Sequence, residues 1–463
     1  MTVEWILTPG RLSGAAALLG GYAAMCLAVA AKVRRRRRAE EAENAEPQGR
    51  AQAPAVLVVY ASQTGQAEAL ARATARMLVD GGLQVRLLPV DKLTPAVLQQ
   101  HVHSLWLLST TGEGDAPDHA LGFVQQLLPK QTGLAGHKSL VLALGDHEYE
   151  QFCAFGVAVH AWLQACGAHS ELICVDNMNP QSLQAWQAQV ERLRQDLRGA
   201  AAQESDWLQT PVGQPFVLSR RHLLNPGSEG GPLYLLEWTP QAGELPQWQS
   251  GDLVSLCVPA AADRPRDYSI ASVTAEGCLQ LLVRQSTRED GSPGLASDWL
   301  CRGMEIGTAL PLTLRAHSSF RLGDNAERPL MLIGNGSGLA GLLSHIKARV
   351  QQGRSDQWLV FGERNPQHDA LCADKLQAWR QQGQLERLDL AWSRQAQGPR
   401  YVQDLLRSHA DEVKRWVERG AAIYVCGSRS GMGQGVHLAL QAILGPAMVE
   451  ELLAAGRYRR DVY

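Results

Sequence analysis

The chain has 463 residues, which is enough for two or three domains. A net charge of -2 gives no argument for binding to nucleic acid. Its nine cysteines include no C-x-x-C pair, and its thirteen histidines show no metal-ligand spacing. We therefore expect a reducing compartment, no disulfide framework and no protein-bound metal.

An uncharged stretch rich in Ala, Leu and Gly covers residues 12–31 and is about long enough to cross a bilayer as a helix. A basic cluster follows it directly, so the positive-inside rule places the rest of the chain in the cytoplasm. We predict a single-pass inner-membrane anchor over residues 1–38 and a flexible linker over residues 39–54. A peripheral or buried helix is the alternative, because Ala and Gly only weakly favour insertion into a bilayer.

Between residues 55 and 199, short apolar runs alternate with stretches of helical periodicity. This alternation is typical of a doubly wound parallel sheet, in which ligands bind at the carboxyl ends of the strands. The predicted strands cover residues 55–60, 85–90, 105–109, 140–144 and 172–175. The predicted helices begin near Gln66, Asp118, Glu150 and Gln181.

The loop after the first predicted strand combines hydroxyls, a glycine and free amides just before a helix. Such a loop can hold an anion on the N–H groups of the helix N-terminus. It contains no lysine, so it is not a nucleoside-triphosphate loop, and it suits a singly attached phosphate. An ordinary capped helix is the alternative. The candidate phosphate ligands are Ser62, Gln63, Thr64, Gly65, Gln66 and Ala67.

Frequent turns and short alternating strands between residues 207 and 322 predict an antiparallel barrel. Its strand candidates cover residues 216–224, 233–238, 253–258 and 279–283. Within the same region, Arg266 offers a fork of donors to a pyrophosphate or an anionic ring edge. Tyr268 offers a flat face to an isoalloxazine ring, and Ser269 brings a hydroxyl near it. A strand with an exposed arginine is the alternative.

A helix start follows that offers backbone amides to a pyrophosphate, with a plain capped helix as the alternative. It consists of Gly294, Leu295, Ala296 and Ser297. Strand–helix alternation then returns, with strands predicted over residues 330–333, 357–361, 388–392 and 422–426. The first of these strands leads into a glycine-rich nucleotide loop, residues 334–341, whose spacing departs from the strict dinucleotide fingerprint.

These motifs together resemble the diflavin reductases, a family that includes the sulfite reductase flavoprotein and the microsomal cytochrome reductases. Ser-Gln-Thr-Gly, Gly-Glu-Gly-Asp and Leu-Gly-Asp-x-x-Tyr-Glu-x-Phe resemble the flavodoxin-type FMN module, and Arg-x-Tyr-Ser with Gly-x-x-Ser resembles the ferredoxin-reductase module. The resemblance implies an α/β multidomain fold. Its parts are a flavodoxin-like doubly wound FMN domain (55–199), a linker (200–211), an FAD-binding antiparallel β-barrel domain (212–325) and an NADPH-binding α/β domain (326–463).

The resemblance also implies site residues. Beyond the phosphate loop, the FMN ligands would be Thr110, Thr111, Gly112, Gly114, Leu144, Gly145, Asp146, Tyr149, Phe152 and Asp176. The FAD ligands would be Arg266, Tyr268, Ser269, Gly294, Leu295, Ala296 and Ser297. The NADPH ligands would be Gly336, Ser337, Gly338, Ser393, Arg394, Arg400, Tyr401 and Gln403, the last five around the 2′-phosphate. Ser269, Cys426 and Asp461 would line the hydride path, which Tyr463 would cover.

Several positions depart from the family pattern. Thr111 stands where an aromatic residue is frequent, and Pro399 replaces a lysine next to Arg400. Gly341 stands in place of proline and Ser428 in place of aspartate. The helical connecting insert of the larger members is missing, so we expect the linker to leave the flavin domains mobile.

The resemblance implies an oxidoreductase in which NADPH reduces FAD, FAD reduces FMN, and FMN reduces an acceptor protein or a metal-containing acceptor. Acidic residues after the third and fourth strands indicate either a docking patch for a basic acceptor or a solvated edge. They are Glu113, Asp115, Asp118, Glu148 and Glu150. The alternatives are the flavoprotein of an assimilatory sulfite reductase, a ferric-chelate reductase at the membrane, and a scaffold or binding protein with degenerate flavin folds.

Overall fold

The computed structural model describes residues 55–111, 114–145, 147, 151–176, 180–198, 213–288, 291–395 and 397–463. The predicted anchor and both predicted linkers lie outside these residues, as do Gly112, Asp146 and Tyr149. The described chain contains three sheets, which we call the first module (55–198), the second module (213–325) and the third module (326–463).

The first module is a five-stranded parallel sheet with the strand order β2-β1-β3-β4-β5. Because the order reverses beside β1, the loops after β1 and β3 meet at a switch point, where such sheets bind ligands. The strands are β1 Ala55–Ala61, β2 Gln84–Pro89, β3 His103–Ser109, β4 Lys138–Gly145 and β5 His169–Asp176. The helices are α1 Gln66–Asp80, α2 Pro95–Gln99, α3 Leu121–Gln126, α4 Ala154–Ala165 and α5 Pro180–Arg198.

Apolar runs form these strands because helices cover both faces of the sheet. Successive side chains of a strand point to opposite faces. Val56 and Val58 therefore pack in one core cluster, whereas Leu57 and Val59 pack in a second cluster on the other face. Burial on both faces explains why these strands read as continuous apolar runs.

The second module is a six-stranded sheet of antiparallel pairs with the order β10-β7-β6-β11-β8-β9. A bridge between Ile270 and Leu281 joins the two outer strands, so the sheet closes on itself as the barrel pattern predicts. The strands are β6 Gln214–Leu223, β7 Leu233–Pro240, β8 Leu253–Val258, β9 Ala261–Ser269, β10 Leu279–Arg284 and β11 Ala309–Arg315, and the one-turn helix α6 is Leu295–Asp298.

The third module is a five-stranded parallel sheet with the order β14-β13-β12-β15-β16. Its strands are β12 Leu330–Asn335, β13 Gln357–Glu363, β14 Arg387–Trp392, β15 Ala422–Gly427 and β16 Tyr458–Val462. Its helices are α7 Leu339–Gln351, α8 Ala373–Gln381, α9 Val402–Ser408, α10 Ala410–Glu418, α11 Gln434–Leu444 and α12 Pro446–Ala454. The three sheets confirm the predicted α/β multidomain class.

No single helix among the described residues is long and apolar enough to cross a membrane. Gly431–Leu444 and Pro446–Ala454 meet the length and composition criteria only as a pair, which is bent by 115°. Both helices of this pair contribute side chains, such as Val436 and Val449, to the core of the third module.

A buried histidine in α7 makes the stability of the third module depend on pH. His345 packs its ring 5.2 Å from Phe320 and 4.8 Å from Tyr424, measured between ring centroids. Burial, with Arg459 as a second cause, lowers the pKa of His345 to about 3. The unfolded chain binds a proton there below about pH 6.5, whereas the folded chain does not. Stability is therefore lost as the pH falls from about 6.5 towards 3.

We expect the variant His345→Phe to lose less stability in acid than the parent chain. Between pH 7.5 and 5.5, one such histidine costs about 1.4 kcal/mol of unfolding free energy, and the variant lacks this cost. Urea titrations followed by tryptophan fluorescence at the two pH values measure the difference. Equal losses in both proteins would show that His345 does not contribute.

Candidate functional site

Three polar side chains meet where the second and third modules join. Ser269 Oγ donates to Asp461 Oδ2 at 2.9 Å, and Cys426 Sγ donates to the same oxygen at 3.6 Å. Cys426 and Asp461 are register partners on the parallel strands β15 and β16, so the sheet itself places the thiol beside the carboxylate. Burial, followed by the nearby Asp461, raises the pKa of Cys426 well above its usual value, so the thiol keeps its proton.

Gly341, at the start of α7, lets these groups come together. A Cβ atom added at this glycine would lie 3.4 Å from Cys426 Sγ and 3.8 Å from Ser269 Cβ. It would also lie 3.1 Å from the ring of Phe320. A larger residue would therefore take up the space beside the thiol and the serine.

The C-terminal residue reaches across to the glycine-rich loop. The hydroxyl of Tyr463 forms a hydrogen bond with Ser337 Oγ at 3.0 Å, and the backbone N–H of Tyr463 donates to Gly427 O at 3.1 Å. The residue is 60% exposed. A weakly buried aromatic side chain held by one hydroxyl contact can be displaced at low cost.

The glycine-rich loop after β12 packs directly on the end of β15. Added Cβ atoms at Gly334 and Gly338 would lie 2.4 Å and 2.2 Å from Cys426 O, so only glycine fits there. Gly336 has φ +59° and begins a 3₁₀ turn through Ser337 to Gly338. A turn built of glycines lets a ligand come close to the backbone, because no side chain stands in the way.

An ion pair beside Gly336 was not predicted from the sequence. Arg284 Nη2 contacts Glu363 Oε1, and Arg284 Nη1 donates to Gly231 O at 2.9 Å. Burial raises the pKa of Glu363. The two partners lie on β10 and β13, 79 residues apart, and no local pattern connects them.

The stretch that begins the predicted FAD site forms β9. Tyr268 is half-buried, and burial raises its pKa, whereas Arg266 is exposed. Between them, Asp267 accepts a hydrogen bond from Arg315 Nη1 at 2.5 Å. The sequence alternative of a strand with an exposed arginine therefore describes the backbone here, and the role of Arg266 and Tyr268 as flavin ligands stays a prediction.

Ser297 does not present a free hydroxyl to a pyrophosphate. Its Oγ accepts from Ser286 N at 3.0 Å, shares a hydrogen bond with Ser286 Oγ at 2.8 Å and contacts Gly294 O at 3.2 Å. Of the other residues in this helix start, Leu295 is 47% exposed and Ala296 is half-buried. Ser297 thus stabilises the turn at the start of α6, whose backbone amides are the predicted pyrophosphate ligands.

Two buried hydroxyls lie at the switch point of the first module. Within the described residues, Ser62 Oγ and Thr110 Oγ1 have no hydrogen-bond partner. Gly65 has φ +81° and caps α1, which begins with the half-buried Gln66 and the buried Ala67. Unpartnered hydroxyls at a helix start fit a phosphate ester.

The loops that are predicted to surround the FMN ring are held by hydrogen bonds and a ring contact within the first module. Thr111 N and Oγ1 donate to Asp115 O at 2.8 and 3.1 Å, around Gly114 with φ +104°. The Phe152 ring lies 3.7 Å from the His147 ring, between centroids. Asp176 Oδ1 accepts from His147 N at 3.1 Å, just beyond Leu144 and Gly145 at the end of β4.

The predicted 2′-phosphate residues form an open group at the end of β14. Arg400 Nε and Nη2 donate to Ser393 O at 3.2 and 3.1 Å. Arg394 is exposed, and Tyr401 is 49% exposed. Gln403 packs against the backbone of Gly435, where an added Cβ would lie 2.9 Å from Gln403 Cδ. The two guanidinium groups are accessible to a dianion.

The first module contacts the third module through its acidic edge. Asp118 accepts from Arg460 Nε at 2.9 Å, and Asp115 forms an ion pair with Arg429. Neither arginine lies in a motif that predicts this contact. The other predicted acidic residues, Glu113, Glu148 and Glu150, lie outside the described residues. The expected mobility of the modules stays a prediction.

Two family models match parts of the first and third modules. A family model described as flavodoxin matches residues 58–189, and one described as oxidoreductase NAD-binding domain matches residues 332–437. The sulfite reductase (NADPH) flavoprotein alpha-component of Vibrio cholerae is 27% identical over a gapped alignment of length 534 that covers 88% of this chain and 87% of that protein. The Bacillus subtilis protein of the same name is 24% identical, with 91% of each chain covered.

Proposed function

Because this chain belongs to the diflavin reductase family, we propose that residues 12–31 tether it to the inner membrane and that it reduces a haem or ferric acceptor in the cytoplasm. The protein is an NADPH-dependent flavoprotein oxidoreductase that uses FMN and FAD. The observation that carries the assignment of roles is the cluster of Ser269, Cys426 and Asp461 beside the glycine turn and beneath Tyr463.

The residues present fit the cofactors. The unpartnered hydroxyls of Ser62 and Thr110 suit the phosphate and ring edge of FMN. The loop that tolerates only glycine at Gly334 and Gly338 suits the pyrophosphate of NADPH. Bound FAD supplies hydride acceptance from NADPH, and bound FMN supplies single-electron transfer onward.

The chain orients the nicotinamide and balances its charge. With NADPH bound, the carboxylate of Asp461 would be the negative group that balances positive charge on an oxidised nicotinamide. Ser269 and Cys426 hold this carboxylate in one orientation, and the protonated thiol adds no negative charge. Such fixed groups stabilise a transition state without reorganising during the reaction. Tyr463 would cover the site and would have to move to admit the nicotinamide.

We expect the double variant Arg394→Ala, Arg400→Ala to raise KM for NADPH about 10- to 100-fold. Each guanidinium contributes a charge-assisted hydrogen bond to the 2′-phosphate, which NADH lacks. The kcat/KM for NADH should stay the same. Steady-state kinetics with both nucleotides measure this, and Arg407→Ala, which removes an arginine 50% exposed on α9, serves as the control. A parallel loss with NADH would contradict the assignment.

The acidic edge of the first module is our candidate docking surface for a basic electron acceptor. Asp115 and Asp118 form ion pairs with arginines of the same chain. An acceptor would therefore bind these carboxylates only after the first and third modules separate. Pull-down from detergent-solubilised membranes, with a variant lacking residues 1–54 in parallel, tests both parts. We expect the full chain to sediment with membranes and to retain a haem or iron protein. A full chain that stays in the soluble fraction contradicts the tether.

A sulfite reductase haemoprotein is the second candidate acceptor, which the names of the relatives favour. Co-purification of such a haemoprotein with the full chain, together with NADPH-dependent formation of sulfide, would support it. A complex that forms equally well without residues 1–54 would favour this acceptor over a membrane-bound one.

A further inference from the structure

The chain leaving β11 lies against the loop that we assign to the FMN phosphate. We call residues 315–319 the docking segment and residues 62–67 the phosphate loop. His317 Nε2 and Ser319 Oγ both donate to Gln63 O, each at 2.8 Å. Arg315 Nη2 donates to Thr64 O at 2.9 Å. Three side chains of the second module thus hold two consecutive carbonyl groups of the first module.

The side chain of Gln63 extends the same contact to the third module. Its Nε2 donates to Arg460 O at 3.0 Å, and its Oε1 accepts from Asp118 N at 3.0 Å. Gln63 lies in a predicted FMN-binding motif, but its carbonyl and its amide bind protein groups on all three modules. These contacts make it a docking residue in this arrangement.

The fit between the loop and the docking segment is close. A Cβ atom added at Gly65 would lie 2.5 Å from Ala316 O. A cavity of about 340 Å³ lies beside the contact, with Ser62, Ser319 and Arg460 among its lining residues. Ser62, which we assign to the phosphate, therefore lines one cavity together with residues of both other modules.

Planarity of the peptide unit transmits the docking contact to the phosphate side of the loop. In a trans peptide, the C=O of one residue and the N–H of the next point in opposite directions. Holding Gln63 O therefore turns Thr64 N–H away from the docking segment, and holding Thr64 O does the same for Gly65 N–H. Amides of this kind at a helix start are what an anion binds.

We propose that docking of the modules and FMN binding are coupled through this loop, with residues 315–319 as the coupling element. The proposal rests on the assignment of residues 62–67 to the FMN phosphate. Bound phosphate fixes the amides, which fixes the carbonyl groups in the orientation that the docking segment recognises. By linkage, docking then raises FMN affinity by the same factor by which FMN favours docking.

FMN titration of the flavin-depleted full chain tests the coupling. The double variant His317→Phe, Ser319→Ala removes both donors to Gln63 O while keeping a ring beside Phe320. Neither residue belongs to the first module. We expect the FMN dissociation constant to rise about tenfold, since each hydrogen bond is worth a few-fold to tenfold. FAD content should not change.

Ser219→Ala is the matched control, because it removes a hydroxyl-to-carbonyl bond of 3.0 Å on β6, away from the contact. An unchanged FMN dissociation constant in a double variant that retains FAD would overturn the proposal. If the double variant loses FAD, Ser319→Ala alone decides: a rise of at least threefold supports the coupling and no rise overturns it.

Amide hydrogen exchange tests the reciprocal effect without using catalysis. In the parent chain, FMN should slow exchange in peptides that contain residues 315–319, and the double variant should lose this dependence. Exchange in the docking segment that is indifferent to FMN overturns the coupling. Failure of the parent chain to bind FMN at all would instead contradict the proposed function.

Discussion

Replacing Ser62 with aspartate is expected to expel FMN from the chain while FAD stays bound. Ser62 is 4% exposed, and its hydroxyl has no partner among the described residues. A carboxylate there would lie within a few ångströms of the phosphate. Two unit charges about 4 Å apart near a protein surface repel by roughly 4 kcal/mol, which corresponds to about 10³-fold weaker binding.

Chromatography of the flavins released from the purified variant measures the outcome. We expect FAD at about one per chain and no FMN. The control Ser62→Ala loses only the hydroxyl contact and should bind FMN about tenfold more weakly. If Ser62→Asp retained FMN at the parent level, the phosphate would have to bind elsewhere in the chain.

Replacing Asp461 with asparagine should slow the bleaching of the flavins by NADPH about 10²-fold. Asparagine has nearly the same volume but carries no charge, so the positive charge that develops on the nicotinamide loses its counter-charge. Fixed electrostatic groups of this kind contribute about 10²- to 10³-fold to rate. Because the interaction arises in the transition state, KM for NADPH should change little.

Stopped-flow absorbance under anaerobic conditions measures this rate, and FAD content shows whether the site is intact. The control Asp411→Asn makes the same chemical change at a residue whose side chain is 95% exposed, on α10. A bleaching rate equal to that of the parent chain would remove Asp461 from the hydride path.

Strands buried on both faces could be predicted from the sequence, whereas the C-terminal edge strand β16 could not. The run that forms β1 and the first four residues of β12 are apolar, because helices cover both sides of each sheet. By contrast, β16 reads YRRDV and has only Tyr458 and Asp461 buried. Its strand conformation comes from pairing with β15, and pairing between distant segments leaves no local pattern.

The site residues also divide into those that lie in local motifs, which the sequence could predict, and those brought together by packing, which it could not. Ser62, Ser269 and the glycines after β12 lie in short motifs whose spacing is set by one turn of backbone. His317, Ser319 and Arg460 contact the first module from more than 250 residues away in the sequence. Their roles depend on how the modules pack, which no local spacing encodes.

Anaerobic titration with NADPH tests the central claim most directly, namely that two flavins lie in series behind one nucleotide site. Each NADPH carries two electrons and each flavin accepts two, so the parent chain should need about two equivalents for full bleaching. The variant Ser62→Asp should need about one. A parent chain that bleaches with one equivalent, or not at all, would contradict the account.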